Sequence, residues 1–225
     1  MEKQHDQYNF YMMNNKLSIT CLILSIIPLV FGCRGPLKEE NKNKVSVSSV
    51  IRGQKYTIDT KQSIVTWQGS MLFDIDEEHV GHVYITKGEL MVENGRLTGG
   101  KAEINMNSIE YKDKASKNTP VKHLKSPDYF DVEKFPISTI AIIKIESLRG
   151  HTIVKADLTI KGVTQPVTFP AKIEVQDGVV KANGKLIIDR TDWGIRYRSG
   201  KFYDNLADQA VSDDIELHMK IVAKK

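Results

Sequence analysis

The chain has 225 residues, 40% of them hydrophobic and 27% charged, and a formal net charge of +4, which is ordinary globular composition with room for one substantial core. Its Lys, Arg, Asp and Glu residues are interleaved instead of gathered into a basic stripe, which excludes nucleic acid as an expected partner. The two cysteines, Cys21 and Cys33, precede the globular part, so no disulfide staples the fold and neither thiolate catalysis nor a Cys-rich metal site belongs to it.

Residues 1–32 read as a signal peptide. Leu17 to Gly32, LSITCLILSIIPLVFG, is uncharged and follows Asn14, Asn15 and Lys16. It is short against the roughly 20 apolar residues of a spanning helix and contains Pro28; an uncleaved anchor with an incidental cysteine is the alternative. Val30, Phe31, Gly32 and Cys33 resemble the lipobox of bacterial lipoproteins, although Phe31 is bulkier than usual. That resemblance implies a diacylglycerol anchor on Cys33 and a place in the cell envelope, on the periplasmic side or at the cell surface. The charged, aromatic stretch from Glu2 to Tyr11 is unlike a short basic n-region, so translation is expected to start at Met12 or Met13. Residues 33–53, rich in Lys, Glu, Asn, Ser and Gly, read as a solvated tether. Within it Lys38, Glu39 and Glu40 resemble short signals that send some lipoproteins to the surface.

Residues 54–225 read as one all-β domain. Val154, Ala156, Leu158 and Ile160 alternate with polar residues, as do Val167, Phe169, Ala171, Ile173 and Val175. The same period holds at Ala102, Ile104 and Met106, at Val180, Ala182, Leu186 and Ile188, and at Ile215, Leu217, Met219 and Ile221. Such alternation predicts antiparallel strands with one wet face. Asn94-Gly95, Gly99-Gly100, Arg149-Gly150, Lys161-Gly162 and Asp177-Gly178 read as turns. Lys112 to Phe135 breaks the pattern, and its VKHLKSPDYF reads as a short helix in a long loop. With about eight strands and no long amphipathic helix, a barrel closed on itself or a sandwich is expected. An eight-stranded barrel is either filled by side chains or encloses one small ligand.

Four strings are more specific: YTIDTKQS (residues 56–63), HLKSPDYFDVEKFP (123–136), ADLTIKGVTQPVTFP (156–170) and IDRTDWGI (188–195). In order and spacing they resemble the YceI-like family of bacterial lipid-binding proteins, and the ending from Ser199 is similar to its lipoprotein branch. Arg196 to Arg198 depart from the smaller residues expected before Ser199. The resemblance implies an eight-stranded, antiparallel, lipocalin-like barrel whose hydrophobic tunnel holds a polyisoprenoid, such as an isoprenoid quinone or prenyl compound. It implies no catalytic residues and no cofactor beyond that lipid.

On this reading the tunnel is lined by Trp67, Ile104, Met106, Phe130, Phe135, Ala156, Leu158, Ile160, Phe169, Ile173, Leu186, Ile188, Leu217 and Met219; a filled core is the competing account. Arg190, Arg196 and Arg198 are candidates for a head-group rim, because Arg forks match phosphate oxygens. Asp189, Arg190 and Asp192, with Asp59, suggest an ion-pair network at one corner. His79 and His82 beside Asp74, Asp76, Glu77 and Glu78 invite a metal reading. That reading is not adopted, since residues three apart on a strand face opposite ways and the calcium-loop spacing is missing. No Gly-x-Ser-x-Gly, P-loop or dinucleotide fingerprint is present, so a binding protein and not an enzyme is expected. Its expected partners are an isoprenoid lipid, the membrane through acylated Cys33, and a second copy of the chain.

Overall fold

An alternating chain with one apolar face must pair its strands and bury that face. The computed structural model shows how this one does so over residues 53–70, 78–112, 119–148, 151–206 and 209–225. The signal segment, Cys33, the tether, the acidic run Asp74–Glu77 and the Arg149-Gly150 turn lie outside the described residues. In chain order the elements are β1 (Gln54–Ile58), β2 (Ile64–Ser70), β3 (Glu78–Glu93), β4 (Arg96–Tyr111), α1 (Thr119–Lys125), β5 (Ile137–Leu148), β6 (His151–Ile160), β7 (Val163–Gln176), β8 (Val179–Asp189) and β9 (Asp214–Lys224).

The sheet runs β1-β3-β2-β9-β8-β7-β6-β5-β4, and a β3–β4 ladder closes it into a barrel. Every ladder is antiparallel, from Gly81↔Tyr111 between β3 and β4 to Asp189↔Asp214 between β8 and β9. Closure gives every described strand a partner on both sides and leaves only short unpaired stretches, such as β7 before Ala171. The nine strands make eight staves, because β1 and β2 both lie between β3 and β9. β1 pairs Gln54↔Val92 and Ile58↔Ala223, and β2 pairs Val65 with both Val83 and Met219.

The interruption in that stave, Asp59 to Ser63, is held by hydrogen bonds at Asp59, Lys61, Gln62 and Ser63. The Asp59 carboxylate accepts from the Lys61 and Gln62 amides at 3.1 and 3.2 Å and pairs with Lys224 at 2.6 Å. Ser63, 2% exposed, replaces the missing ladder: its Oγ accepts from the Val222 amide at 2.9 Å and donates to the Val222 carbonyl at 3.2 Å. Asp59 therefore stands at the β9 C-terminus, where Lys224 is its partner. It does not join Asp189, Arg190 and Asp192, because it sits on the opposite end of the barrel.

Asn94-Gly95, Lys161-Gly162 and Asp177-Gly178 have positive φ at both positions, the geometry of tight hairpin turns. Gly99-Gly100 is no turn. Both residues lie inside β4 opposite Met91 and Leu90, and a Cβ on Gly100 would stand 2.8 Å from the Glu89 carbonyl, so glycine serves close strand packing there. Bulges shift the register of β3 between His82 and Tyr84 and between Ile85 and Lys87, and that of β5 between Ile142 and Lys144. The shifts at Ile85/Lys87 and Ile142/Lys144 exchange the inward and outward faces: Val83 and Ile85 point inward before the first of them, Leu90 and Val92 after it, and Ile143 is turned out to 63% exposure.

Two further features shape the end of the barrel that carries α1. Pro166 and Pro170 take two N–H donors out of β7, and the β7–β8 ladder stops at Ala171↔Gly184. A 3₁₀ turn, Arg190–Trp193, fills the gap. Its buried Trp193 donates Nε1–H to the Leu158 carbonyl at 3.2 Å, and Gln165 donates to the Asp192 carbonyl at 3.0 Å. The segment after α1 is held down by Lys161, whose ammonium donates to the Pro127 and Tyr129 carbonyls at 2.9 and 2.8 Å.

Gly81 sets a close approach in β3. A Cβ there would lie 2.1 Å from the Glu110 carbonyl oxygen and 2.3 Å from Cζ2 of Trp67, its cross-strand partner. Gly81→Ala is expected to destabilise the barrel by about 1–3 kcal/mol through overpacking, read by urea unfolding with Trp67 fluorescence; an unchanged midpoint contradicts the packing described.

Candidate functional site: an apolar cavity with one polar end

The inward faces of the staves do not meet. They enclose a cavity of about 460 Å³, within the range of small-molecule sites. The β8–β9 ladder is continuous over the 11 residues of β8. At about 3.3 Å per residue and a strand tilt near 40°, this gives a barrel of roughly 28 Å along its axis. Room for the cavity comes from small residues on facing staves. Ala102 on β4 and Ala182 and Gly184 on β8 line it, and β4 and β8 are four staves apart in either direction around the barrel. Ala171 of β7 lies opposite Gly184 and extends the gap.

Of the residues assigned to the wall from the sequence, Trp67, Ile104, Met106, Phe130, Leu158, Ile160, Phe169, Ile173, Leu186, Ile188, Leu217 and Met219 border the cavity. Phe135 and Ala156 do not. Phe135 lies against the β6–β7 turn, with its ring 2.9 Å from where a Gly162 Cβ would stand. Ala156 is 2% exposed between its cross-strand partners Ile142 and Val167, and its methyl is too short to reach past them. The alternation missed Val83, Ile85, Leu90, Leu97 and Ile109, which also line the cavity. The bulges of β3 and the irregular end of β4 hide their period.

Polar residues gather at one end of the wall, where α1, the end of β2, the start of β3 and the segment before β9 converge; Lys101, Ser138 and Asn183 border the cavity elsewhere. Ser70, His79, His123, Tyr197, Arg198, Ser212 and Asp214 border it at that polar end. His79 is hydrogen-bonded to the Tyr111 hydroxyl, and Tyr111 packs edge-on against Trp67 at 5.9 Å between centroids. His82 faces outward, 3.2 Å from the Thr66 hydroxyl. The two histidines are thus on opposite faces of β3, as the pleat requires. The His123 ring packs tilted against Tyr197, at 51° with centroids 3.9 Å apart, and its Nε2 is buried without a hydrogen-bond partner.

The three arginines assigned to a head-group rim have three different fates. Arg190 is no rim residue: it is fully buried and its guanidinium is consumed by the chain. Nε donates to the Ser212 carbonyl at 3.0 Å, Nη1 to Ile195 at 3.0 Å and Nη2 to Val211 at 3.2 Å, while Asp213 lies 3.0 Å away as counter-charge. The Tyr129 ring sits over its Cζ at 5.4 Å. Burying a guanidinium requires such full satisfaction, and the result locks the loop before β9 to the 3₁₀ turn. Arg196 is exposed and stacked on Phe202 at 4.5 Å, away from the cavity. Arg198 alone borders it, held at φ 45 beside Tyr197. Asp189 belongs to the corner network, accepting from Thr191 at 2.9 Å and pairing with Lys201; Asp192 accepts from Gln165 through its backbone carbonyl and acts on Lys201 through its charge alone.

Burial pushes the His123 imidazolium below its ordinary value of 6.5, and the Arg198 charge acts the same way against the opposing pull of Asp128. A base whose folded pKa is depressed leaves the unfolded chain holding more protons, so this contribution is complete above the ordinary value and declines below it. Stability is therefore expected to fall between about pH 7 and 5, and His123→Phe should flatten that slope in urea titrations. A second loss follows at lower pH. Lys144 and Lys155 hold the Glu146 carboxyl down at about 2 from 4.5, so its contribution is present above the ordinary carboxylate value and is lost as pH falls toward 2.

Residues 56–223 match the family model described as a YceI-like domain. A UPF0312 protein of Shewanella denitrificans is 25% identical over 75% of this chain and 91% of its own length. One from Vibrio cholerae is 24% identical over 80% and 93%. Among solved structures, BcnA of Burkholderia cenocepacia superposes with a TM-score of 0.60 at 20% identity, over 74% of this chain and 99% of its own. A polyisoprenoid-binding domain from Saccharophagus degradans superposes with a TM-score of 0.53 at 12% identity, over 75% and 97%. These likenesses span the whole barrel and share its architecture, and the matched family model covers nearly all of it: the chain belongs to the YceI-like domain family.

Proposed function

We propose that this protein is a carrier of an isoprenoid lipid, a quinone or prenyl compound, tethered to an envelope membrane through acylated Cys33. The observation that carries the reading is the predominantly apolar cavity inside a closed barrel, with polar side chains gathered at one end. The likeness in fold to the polyisoprenoid-binding domain of Saccharophagus degradans supports it.

The energetics agree. A buried CH₂ contributes about 0.8 kcal/mol, so each isoprene unit contributes on the order of 3 kcal/mol, and a few units offset the cost of association. Binding without chemistry fits the polar end as well, because Arg190 and Asp213 are occupied in holding a loop and His79 is engaged by Tyr111. A filled structural barrel is disfavoured by the small residues at Ala102, Ala171, Ala182 and Gly184.

Every ladder of the barrel lies within residues 54–224, so the barrel is the part to purify without detergent. Organic extraction and mass spectrometry are expected to yield a polyisoprenoid in near-stoichiometric amount. An empty extract from a protein that also fails to take up added quinone or prenol overturns the carrier reading. The tether is tested separately: Cys33→Ser should release the full chain from the membrane fraction, since dual-chain acylation anchors stably.

A further inference from the structure

The polar end of the cavity has a composition that selects among lipids. The lining residues there that carry a full charge are Arg198 and Asp214, one of each sign. Arg190 is enclosed and satisfied by three carbonyls and Asp213, Arg196 lies outside the cavity wall against Phe202, and Lys201 is paired with Asp189. A diphosphate, with two or more negative charges, would meet no net positive charge and would approach Asp214. Such a group is bound elsewhere by convergent Arg or Lys donors, which this end lacks among the described residues.

What the end does offer is a buried polar atom without a partner, set among aromatic rings; the Ser138 hydroxyl of β5 is the other such atom on the cavity wall among the described residues, and it has no ring beside it to fix a head group. His123 Nε2 is buried and unpaired, its ring is fixed by Tyr197 at 3.9 Å and flanked by Tyr129 at 6.1 Å, and the ring borders the cavity beside Phe130 and Leu124. A buried polar atom without a partner is a standing penalty that a hydrogen-bonding ligand relieves. We infer that the cavity selects an isoprenoid with an uncharged, hydrogen-bonding head, a quinone carbonyl or a prenyl hydroxyl, over a prenyl diphosphate, and that His123 Nε2 is the atom that meets that head. This rests on the carrier reading and names its ligand class. A neutral imidazole can donate to a carbonyl through one tautomer or accept from a hydroxyl through the other, so one residue serves both heads.

The test compares four ligands of matched chain length on the chain from residue 33 onward with Cys33→Ser, which keeps tether and barrel: a prenyl quinone, a prenyl alcohol, a prenyl diphosphate and a headless isoprenoid hydrocarbon. Wild-type protein is expected to bind the quinone and the alcohol at least about tenfold more tightly than the diphosphate, the difference expected of one or more unsatisfied charges. His123→Phe keeps the ring and its packing. It should weaken the quinone and alcohol by about three- to tenfold, the range of one hydrogen bond, and leave the hydrocarbon unchanged; His123→Gln should restore part of the loss. Preference for the diphosphate, or equal weakening of all four ligands by His123→Phe, overturns the inference while the carrier reading stands. Failure of the wild-type protein to bind any of the four, the hydrocarbon included, overturns the carrier reading and the inference with it.

Discussion

Arg190→Ala is expected to destabilise the barrel by about 3–5 kcal/mol, the range for removing one partner of a buried ion pair, enough to unfold a marginal domain at physiological temperature. Three carbonyls, those of Ile195, Val211 and Ser212, lose their donor together, and the Asp213 charge loses its counter-ion in a site where Arg190 is fully buried and Asp213 is partly buried. Arg190→Lys keeps the charge but not the planar fork and should fall between the two. Arg190→Met separates charge from volume: it removes the guanidinium while filling its space, so a loss close to that of alanine assigns the effect to the unsatisfied polar groups. Urea unfolding read at Trp193, which the same turn positions, measures all three. A loss below about 1 kcal/mol for Arg190→Ala would mean that water replaces the guanidinium, contrary to the enclosure described.

The second large effect concerns the cavity itself. Ala182 and Ala171 stand on adjacent staves, both facing the cavity and neither fully buried. Replacing both by Phe is expected to leave the barrel folded, with a Tm within a few degrees of wild type, because the added rings enter space that no side chain occupies. Lipid affinity should fall by tenfold or more, since a chain of several isoprene units would lose the burial of at least one, on the order of 3 kcal/mol. Ile187→Phe, on the outer face of β8 and 54% exposed, is the control and should change neither quantity. If the double variant binds its lipid as wild type does, the ligand is not held in this cavity. If it unfolds, the single Ala182→Phe variant carries the same comparison with half the added volume.

Alternation made β6, β7, β8 and β9 legible from the sequence, because their staves are regular and each has one wet face; Leu158, Phe169, Leu186 and Leu217 follow from the pleat alone. β3 was illegible for a physical reason. Its bulges reverse the inward parity between Ile85 and Leu90, so no single period describes its sixteen residues. The Gly99-Gly100 pair misled in the same way, since glycine marks a close backbone approach as readily as a turn. At the polar end, Arg190 beside Arg196 and Arg198 looked like one cluster of surface charge. Only the convergence of residues 195, 211, 212 and 213 on its guanidinium, from both sides of a loop, showed it to be buried.

By itself the sequence determined the all-β class and the apolar faces, because these are properties of residue spacing, and four strings carried the resemblance to the family. Closure into eight staves from nine strands, and the choice of a hollow interior over a filled one, were decided by tertiary structure. A small residue such as Ala182 or Ala102 leaves space only if the stave that faces it also carries a small residue, and which staves face each other is a property of the closed barrel and not of any strand. The same holds for His123. Its lone buried nitrogen acquires a direction only when α1 is laid across the end of the barrel.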